Sequence, residues 1–198
     1  MTYTLNLKHS IPKKIVLIGA STGGPGQIEK IVNALPHLDS TSIVIAQHMA
    51  VGFMQSFAKR LQENHMNSIT VAQDKEYLEN GKIYVCCGAT SINKNGSNYI
   101  FSQKESPVNA FNPDINTLFH SFIPYSKDFD ILSVILTGIG HDGIDACKIL
   151  GQNGSPCITE SESSAIVDGM PSRARKEVKD IQVLDIAQIV DSIKEFCK

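Results

Sequence analysis

Apolar positions along this chain follow two rhythms. Short β-rich runs such as "KIVLIGA" at 14–20 and "SIVIAQ" at 42–47 are apolar almost without interruption, and runs at 82–86, 131–137 and 156–159 repeat the pattern. Between them apolar residues recur at helical spacing. Ile28, Ile31, Val32 and Leu35 follow Pro25 and stop at Pro36, while Phe53, Met54, Phe57, Ala58 and Leu61 fall at i, i+1, i+4, i+5 and i+8. A last stripe of Ile186, Ile189, Val190, Ile193 and Phe196 begins near Asp185. Strands alternating with helices of this kind predict an α/β fold, a doubly wound, mostly parallel sheet with helices on both faces. Residues 66–112 break the rhythm with short strands, polar interruptions and the turn signal Asn95-Gly96, which predicts a short β-hairpin excursion. No internal repeat or low-complexity segment is present.

Composition narrows the picture. With 198 residues, 42% hydrophobic and 19% charged, the chain has the makeup of one globular domain, expected over 14–198 behind a tail or linker remnant at 1–13. A net charge of −2, with no Lys/Arg stripe interleaved with aromatics, argues against a nucleic-acid partner. The apolar runs are too short to span a bilayer, so the chain is not expected to insert into a membrane. "MTYTLNLKHSIPK" lacks the charged-then-apolar order of a secretory signal, and five cysteines at irregular spacing fit reduced thiols; both place the protein in the cytoplasm.

The chemistry sits where strands end, since open α/β sheets bind ligands beyond the carboxyl ends of their strands. Gly19-Ala20-Ser21-Thr22-Gly23 matches G-x-S-x-G, the pattern of a nucleophilic serine on a strand-to-helix turn. His48 follows the second strand, and Asp142 lies in "ILTGIGHDG" just past the fourth. Free serine is a poor nucleophile at neutral pH; a neighbouring His must take its proton, and a carboxylate must orient the His and stabilise the imidazolium. Gly23 and Gly24 let the backbone turn sharply and aim N–H groups at a developing oxyanion. Each residue also has a plainer use: Ser21 could cap the first helix, His48 could be a structural hydrogen-bonded His, and Asp142 could cap a helix starting near Gly143. His141 adjoins Asp142, but neighbours in a turn usually point apart.

Other functions compete for the same letters. A nucleotide-binding module could cradle phosphate on the Gly19–Gly26 turn, although G-x-G-x-x-G is not met and no P-loop Lys follows. A generic α/β-hydrolase explains G-x-S-x-G, but its partners run Ser, acid, His, whereas the order here is Ser, His, Asp. A cysteine hydrolase would use Cys86 or Cys87 and needs a group that activates the thiolate. A catalytically silent binding protein is compatible with the same motifs.

Taken together the motifs resemble the catalytic domain of CheB-type chemoreceptor protein-glutamate methylesterases. The similarity runs from about Ile15 to the C-terminal helix. It rests on "IGASTGG" at 18–24, "QHM" at 47–49 with "GFMQSFAKRL" at 52–61, "LFHS" at 118–121, "ILTGIGHDG" at 135–143 and "ESESSAIVDGMP" at 160–171. The resemblance implies a triad of Ser21, His48 and Asp142, with Thr22, Gly23, Ile139, Gly140 and Met170 as oxyanion or substrate-adjacent positions. It further implies hydrolysis of γ-glutamyl methyl esters with release of methanol, and deamidation of particular receptor glutamines. The partners implied are methylated cytoplasmic domains of membrane-bound chemoreceptors, served by a monomer with no metal or organic cofactor. Departures from the family pattern are Ile139 in place of Met, Asn112 and Asn116 in place of an arginine and an aspartate in "NPDINTLF", and Cys86-Cys87-Gly88 in place of an Ala-Pro-Gly turn. Many members carry an N-terminal phospho-acceptor receiver domain, which thirteen residues cannot hold, so the expectation is a stand-alone esterase or an excised catalytic domain.

Overall fold

Residues 14–20, apolar enough to be buried on both sides, form the central strand β1 (Lys14–Ala20). The computed structural model describes residues 10–63, 65–105 and 111–198, so most of the expected tail lies outside the described residues. Around β1 are β2 (Thr41–Gln47), β3 (Ser68–Val71), β4 (Lys82–Val85), β7 (Asp130–Ile135), β8 (Cys157–Glu160) and β9 (Gln182–Leu184). Their order across the sheet is β3-β4-β2-β1-β7-β8-β9, and every pairing is parallel. The expected doubly wound, mostly parallel sheet is present, and within these seven strands the parallel pairing runs throughout.

Alternate residues of β1 feed two cores. Ile15 and Leu17 join one, Val16, Ile18 and Ala20 the other. On the second face lie α1 (Gly24–Ala34), α2 (Val51–Gln62) and α6 (Ile186–Phe196), contributing Ile28, Ile31, Met54, Phe57, Leu61, Ile189 and Ile193. The first face is covered by α3 (Ile115–Phe122), α4 (Ile144–Gln152), α5 (Gly169–Glu177) and the antiparallel hairpin β5 (Ala89–Asn95) and β6 (Asn98–Lys104). Each fully buried Ile, Val or Leu contributes about 1.5–3 kcal/mol, so the strands are firm supports for the loops they carry.

The hairpin falls inside the predicted excursion, but its loop is one residue later than expected. Asn95 pairs with Asn98, leaving Gly96 and Ser97 as the turn, with Gly96 at φ +63°. Two edge strands, β3 and β9, and two helices, α3 and α5, are additions to the sequence pattern. The chain leaves β1 for β2 on one side and returns to β7 on the other, making the gap beyond β1 a topological switch point.

Candidate active site

Ser21 is the first residue beyond β1. Its amide donates to the Thr137 carbonyl at 3.0 Å, and its carbonyl accepts from Gly24 N at 2.9 Å, closing the turn into α1. The N-cap of α1 is Gly23 and no side chain caps the helix, so Ser21 does not serve as its cap. The Ser21 hydroxyl makes no hydrogen bond among the described residues, which leaves it free for chemistry.

The turn is held from the β7 side by Gly138, a residue the sequence motifs did not single out. A Cβ there would lie 2.6 Å from Ser21 Cβ and 3.0 Å from Ser21 N, and would press on Met170 Sδ. Gly138→Ala is accordingly expected to displace the Ser21 turn. Overpacking of this kind costs about 1–3 kcal/mol, and a misplaced nucleophile can lose about a hundredfold in rate. A lower melting temperature together with slower fluorophosphonate labelling of Ser21 is the outcome to look for; labelling at the wild-type rate would show that the turn absorbs the methyl group.

His48 follows β2 directly, its amide donating to Ala20 O at 2.9 Å. Its Nε2 lies 2.7 Å from Asp142 Oδ2. Asp142 is nearly inaccessible, and the same Oδ2 accepts Ile115 N at 2.8 Å while Oδ1 accepts Asn116 N at 2.9 Å. The plainer use of Asp142, as a cap for the helix beginning near Gly143, is not what the structure shows: α4 has Gly143 as N-cap with no side-chain cap, and Asp142 reaches across to the N-terminus of α3 instead. That end of a helix presents unpaired donors and a positive dipole to a carboxylate. An ionised carboxylate only accepts, so Nε2 carries the proton and Nδ1 is left as the basic nitrogen of His48. The structure joins His48 to Asp142; Ser21 and His48 stand at the ends of adjacent strands without a hydrogen bond between their side chains, a looseness common before substrate is bound.

Phe111 was not foreseen. Its ring stacks on His48 with centroids 4.8 Å apart and planes 3° from parallel, while the ring of His141 stands perpendicular to Phe111 with centroids 6.4 Å apart. Asn112 latches this segment in place, accepting from Gly88 N at 2.8 Å and donating to Met49 O at 3.0 Å, with its own carbonyl taking Met49 N at 2.9 Å.

The expected oxyanion positions divide. The amides of Thr22, Gly23, Ile139 and Gly140 donate no hydrogen bond among the described residues, so two loops flank Ser21 with uncommitted donors. Met170 is fully buried, its amide donating to Gly138 O at 2.8 Å and its Sδ lying, like Ser21 Cβ, against the space a Cβ on residue 138 would take. Ile139, Ile166, Phe111, Val51 and Phe53 are exposed apolar side chains on the segments that border the site. The cysteine alternative loses support, because burial pushes the thiols of Cys86 and Cys87 upward and away from the thiolate. A cavity of about 560 Å³ lined by Lys148, Cys157, Lys179 and Gln182 lies at the opposite, amino-terminal ends of β8 and β9.

Comparison with known proteins agrees with this fold. The protein-glutamate methylesterase/protein-glutamine glutaminase of Clostridium acetobutylicum is 36% identical over 180 residues, covering 90% of this chain and 51% of the relative. That of Salmonella typhimurium is 35% identical over 180 residues, covering 89% of this chain and 51% of the relative. The chain thus spans about half the length of these relatives. The crystal structure of the Thermotoga maritima CheB methylesterase catalytic domain superposes with a TM-score of 0.84 at 29% identity, covering 93% of this chain and 99% of that one. A family model described as CheB methylesterase matches residues 16–193, which takes in every strand end described above, and the chain belongs to that family.

Proposed function

We propose that this chain is a serine esterase that removes methyl esters from glutamate side chains on the cytoplasmic signalling helices of chemoreceptors, and that it deamidates particular receptor glutamines by the same route. The observation that carries this reading is the His48–Asp142 pair at 2.7 Å at the end of the strand adjacent to that of Ser21, whose hydroxyl makes no hydrogen bond among the described residues. Ser21 Oγ attacks the ester carbonyl as His48 Nδ1 takes its proton. Negative charge then develops on the carbonyl oxygen, within reach of the uncommitted amides of the Thr22–Gly23 and Ile139–Gly140 loops. The imidazolium, hydrogen-bonded through Nε2 to Asp142, gives its proton to the departing methoxide; methanol leaves and a glutamyl ester to Ser21 remains. Water then repeats the sequence. It loses a proton to Nδ1, attacks the acyl carbon, and the proton returns to Ser21 Oγ as the glutamate carboxylate is freed. With a glutamine substrate the leaving group is ammonia.

The names of the relatives support the substrate class, and the exposed apolar residues around the site suit a protein surface better than a small buried ligand. The protein is read as a cytoplasmic monomer that acts at receptors without entering the membrane. Among the described residues no helix is long and apolar enough to cross a bilayer. Methanol release from a methylated receptor cytoplasmic fragment, with purified protein and Ser21→Ala as control, tests the reading. Equal release by both proteins, or none by either, would overturn it.

A further inference from the structure

We infer that Gln47 is a positioning residue that sets Ser21 against His48. The inference rests on the proposed roles of those two residues. Gln47 ends β2 and is 1% exposed. Its Nε2 donates to the Ser21 carbonyl at 2.8 Å and to the His48 carbonyl at 2.9 Å. Both hydrogens of one amide are thus spent on the two backbone segments that carry the nucleophile and the base.

The sheet itself cannot perform this task. The β1–β2 ladder ends at the pair Ala20 and Gln47, with a last bond from His48 N to Ala20 O. Beyond it Ser21 turns toward Thr137 on the β7 side, and His48 leads into α2. The two residues leave the sheet in different directions just where their relative placement matters most. The Gln47 amide spans that divergence.

Two details argue that geometry, not packing, keeps a glutamine here. First, its Oε1 is buried and has no hydrogen-bond partner, a burden on stability that an apolar side chain of the same length would avoid. Second, Oε1 occupies the space that a Cβ on residue 24 would need, so the amide is wedged against Gly24 and cannot swing away from the two carbonyls. Flipping the amide would face oxygen to two carbonyl oxygens, so the acceptors fix which atom is nitrogen.

Gln47→Met keeps length and removes both donors; Gln47→Glu keeps shape and replaces the donating NH2 with an oxygen. Both variants and the wild type are compared by the rate of fluorophosphonate labelling at Ser21, by kcat and KM on methylated receptor fragment, and by melting temperature. Labelling rate and kcat are expected to fall by about tenfold to a hundredfold in Gln47→Met, with KM within about twofold and no loss of melting temperature in proportion. Gln47→Glu is expected to fall further. Wild-type labelling and kcat in either folded variant would overturn the inference, so it stands on Gln47→Glu alone if Gln47→Met fails to fold. A wild type that labels at Ser21 yet releases no methanol would overturn the receptor reading while the labelling rates still decide the role of Gln47. A wild type that does not label would overturn both.

Discussion

Ser21→Ala and His48→Ala are each expected to abolish most turnover, by about a thousandfold to a millionfold in kcat, and the double variant to lose little beyond either single one. The hydroxyl is useful only while a base takes its proton, and the base has water to deprotonate only once Ser21 carries the acyl group, so removing either leaves the other idle. The residual rate comes from the flanking amides and from binding, which neither substitution touches. The stabilities should differ. Ser21 Oγ has no hydrogen bond to lose, whereas His48→Ala removes the stack on Phe111 and one of the three donors around the buried Asp142 carboxylate. The melting temperature should therefore hold in Ser21→Ala and drop modestly in His48→Ala. Methanol release by all three proteins, with calorimetry alongside, checks both parts; a double variant showing the product of the single losses would mean that the two residues act independently.

The strands that hold these groups were readable because they are buried on both faces. β1, β2, β4, β7 and β8 carry apolar runs whose bounds fall within about two residues of those expected. β3 alternates exposed and buried residues on the sheet edge, and β9 is three residues of which none is fully buried, so neither carries a comparable signal. The helix α3 buries Ile115, Leu118, Phe119 and Phe122, but its eight residues, just past the irregular segment that ends at 112, span too few turns for the spacing to stand out. In α5 three buried residues are set among charged ones, and the periodicity is lost.

Strand-end logic brought Ser21, His48 and Asp142 to one edge because each follows its strand closely in sequence. What it could not show is who braces them, since the partners come from far along the chain. Phe111 stacks on a histidine 63 positions earlier, and Asp142 caps a helix that begins 27 positions before it. The departures from the family pattern also gain an account in contacts. Asn112 ties the Phe111 segment to Met49 and Gly88, and Asn116 both donates to Asp142 and accepts from Ala146 N at 2.9 Å, joining α3 to α4. The phosphate-cradle alternative fares poorly at the same turn: Gly24 N is spent on Ser21 O, and the space beside Gly24 is filled by the Gln47 amide.

Asp142→Asn is expected to lower turnover by up to about ten-thousandfold and stability by about 0.5–2 kcal/mol, two losses from one substitution. Asp142 offers three acceptor contacts, to His48 Nε2 and Ile115 N through Oδ2 and to Asn116 N through Oδ1. An asparagine has one acceptor oxygen, so its NH2 must face a donor whichever way it turns. Toward Asn116 it forfeits one bond at the start of α3 and keeps the His48 tautomer, but without the negative charge that stabilises the imidazolium. Toward His48 it forfeits the Ile115 bond and also donates to Nε2, which forces the proton onto Nδ1 and removes the base. The first orientation costs less bonding and should prevail, so the loss of turnover measures mainly the missing charge, while the loss of stability measures the missing cap. Steady-state methanol release gives one quantity and denaturant unfolding the other. A variant of near-full activity and lowered stability would leave Asp142 as a cap for α3 alone, whereas full stability with lost activity would show that the helix finds its donors other partners.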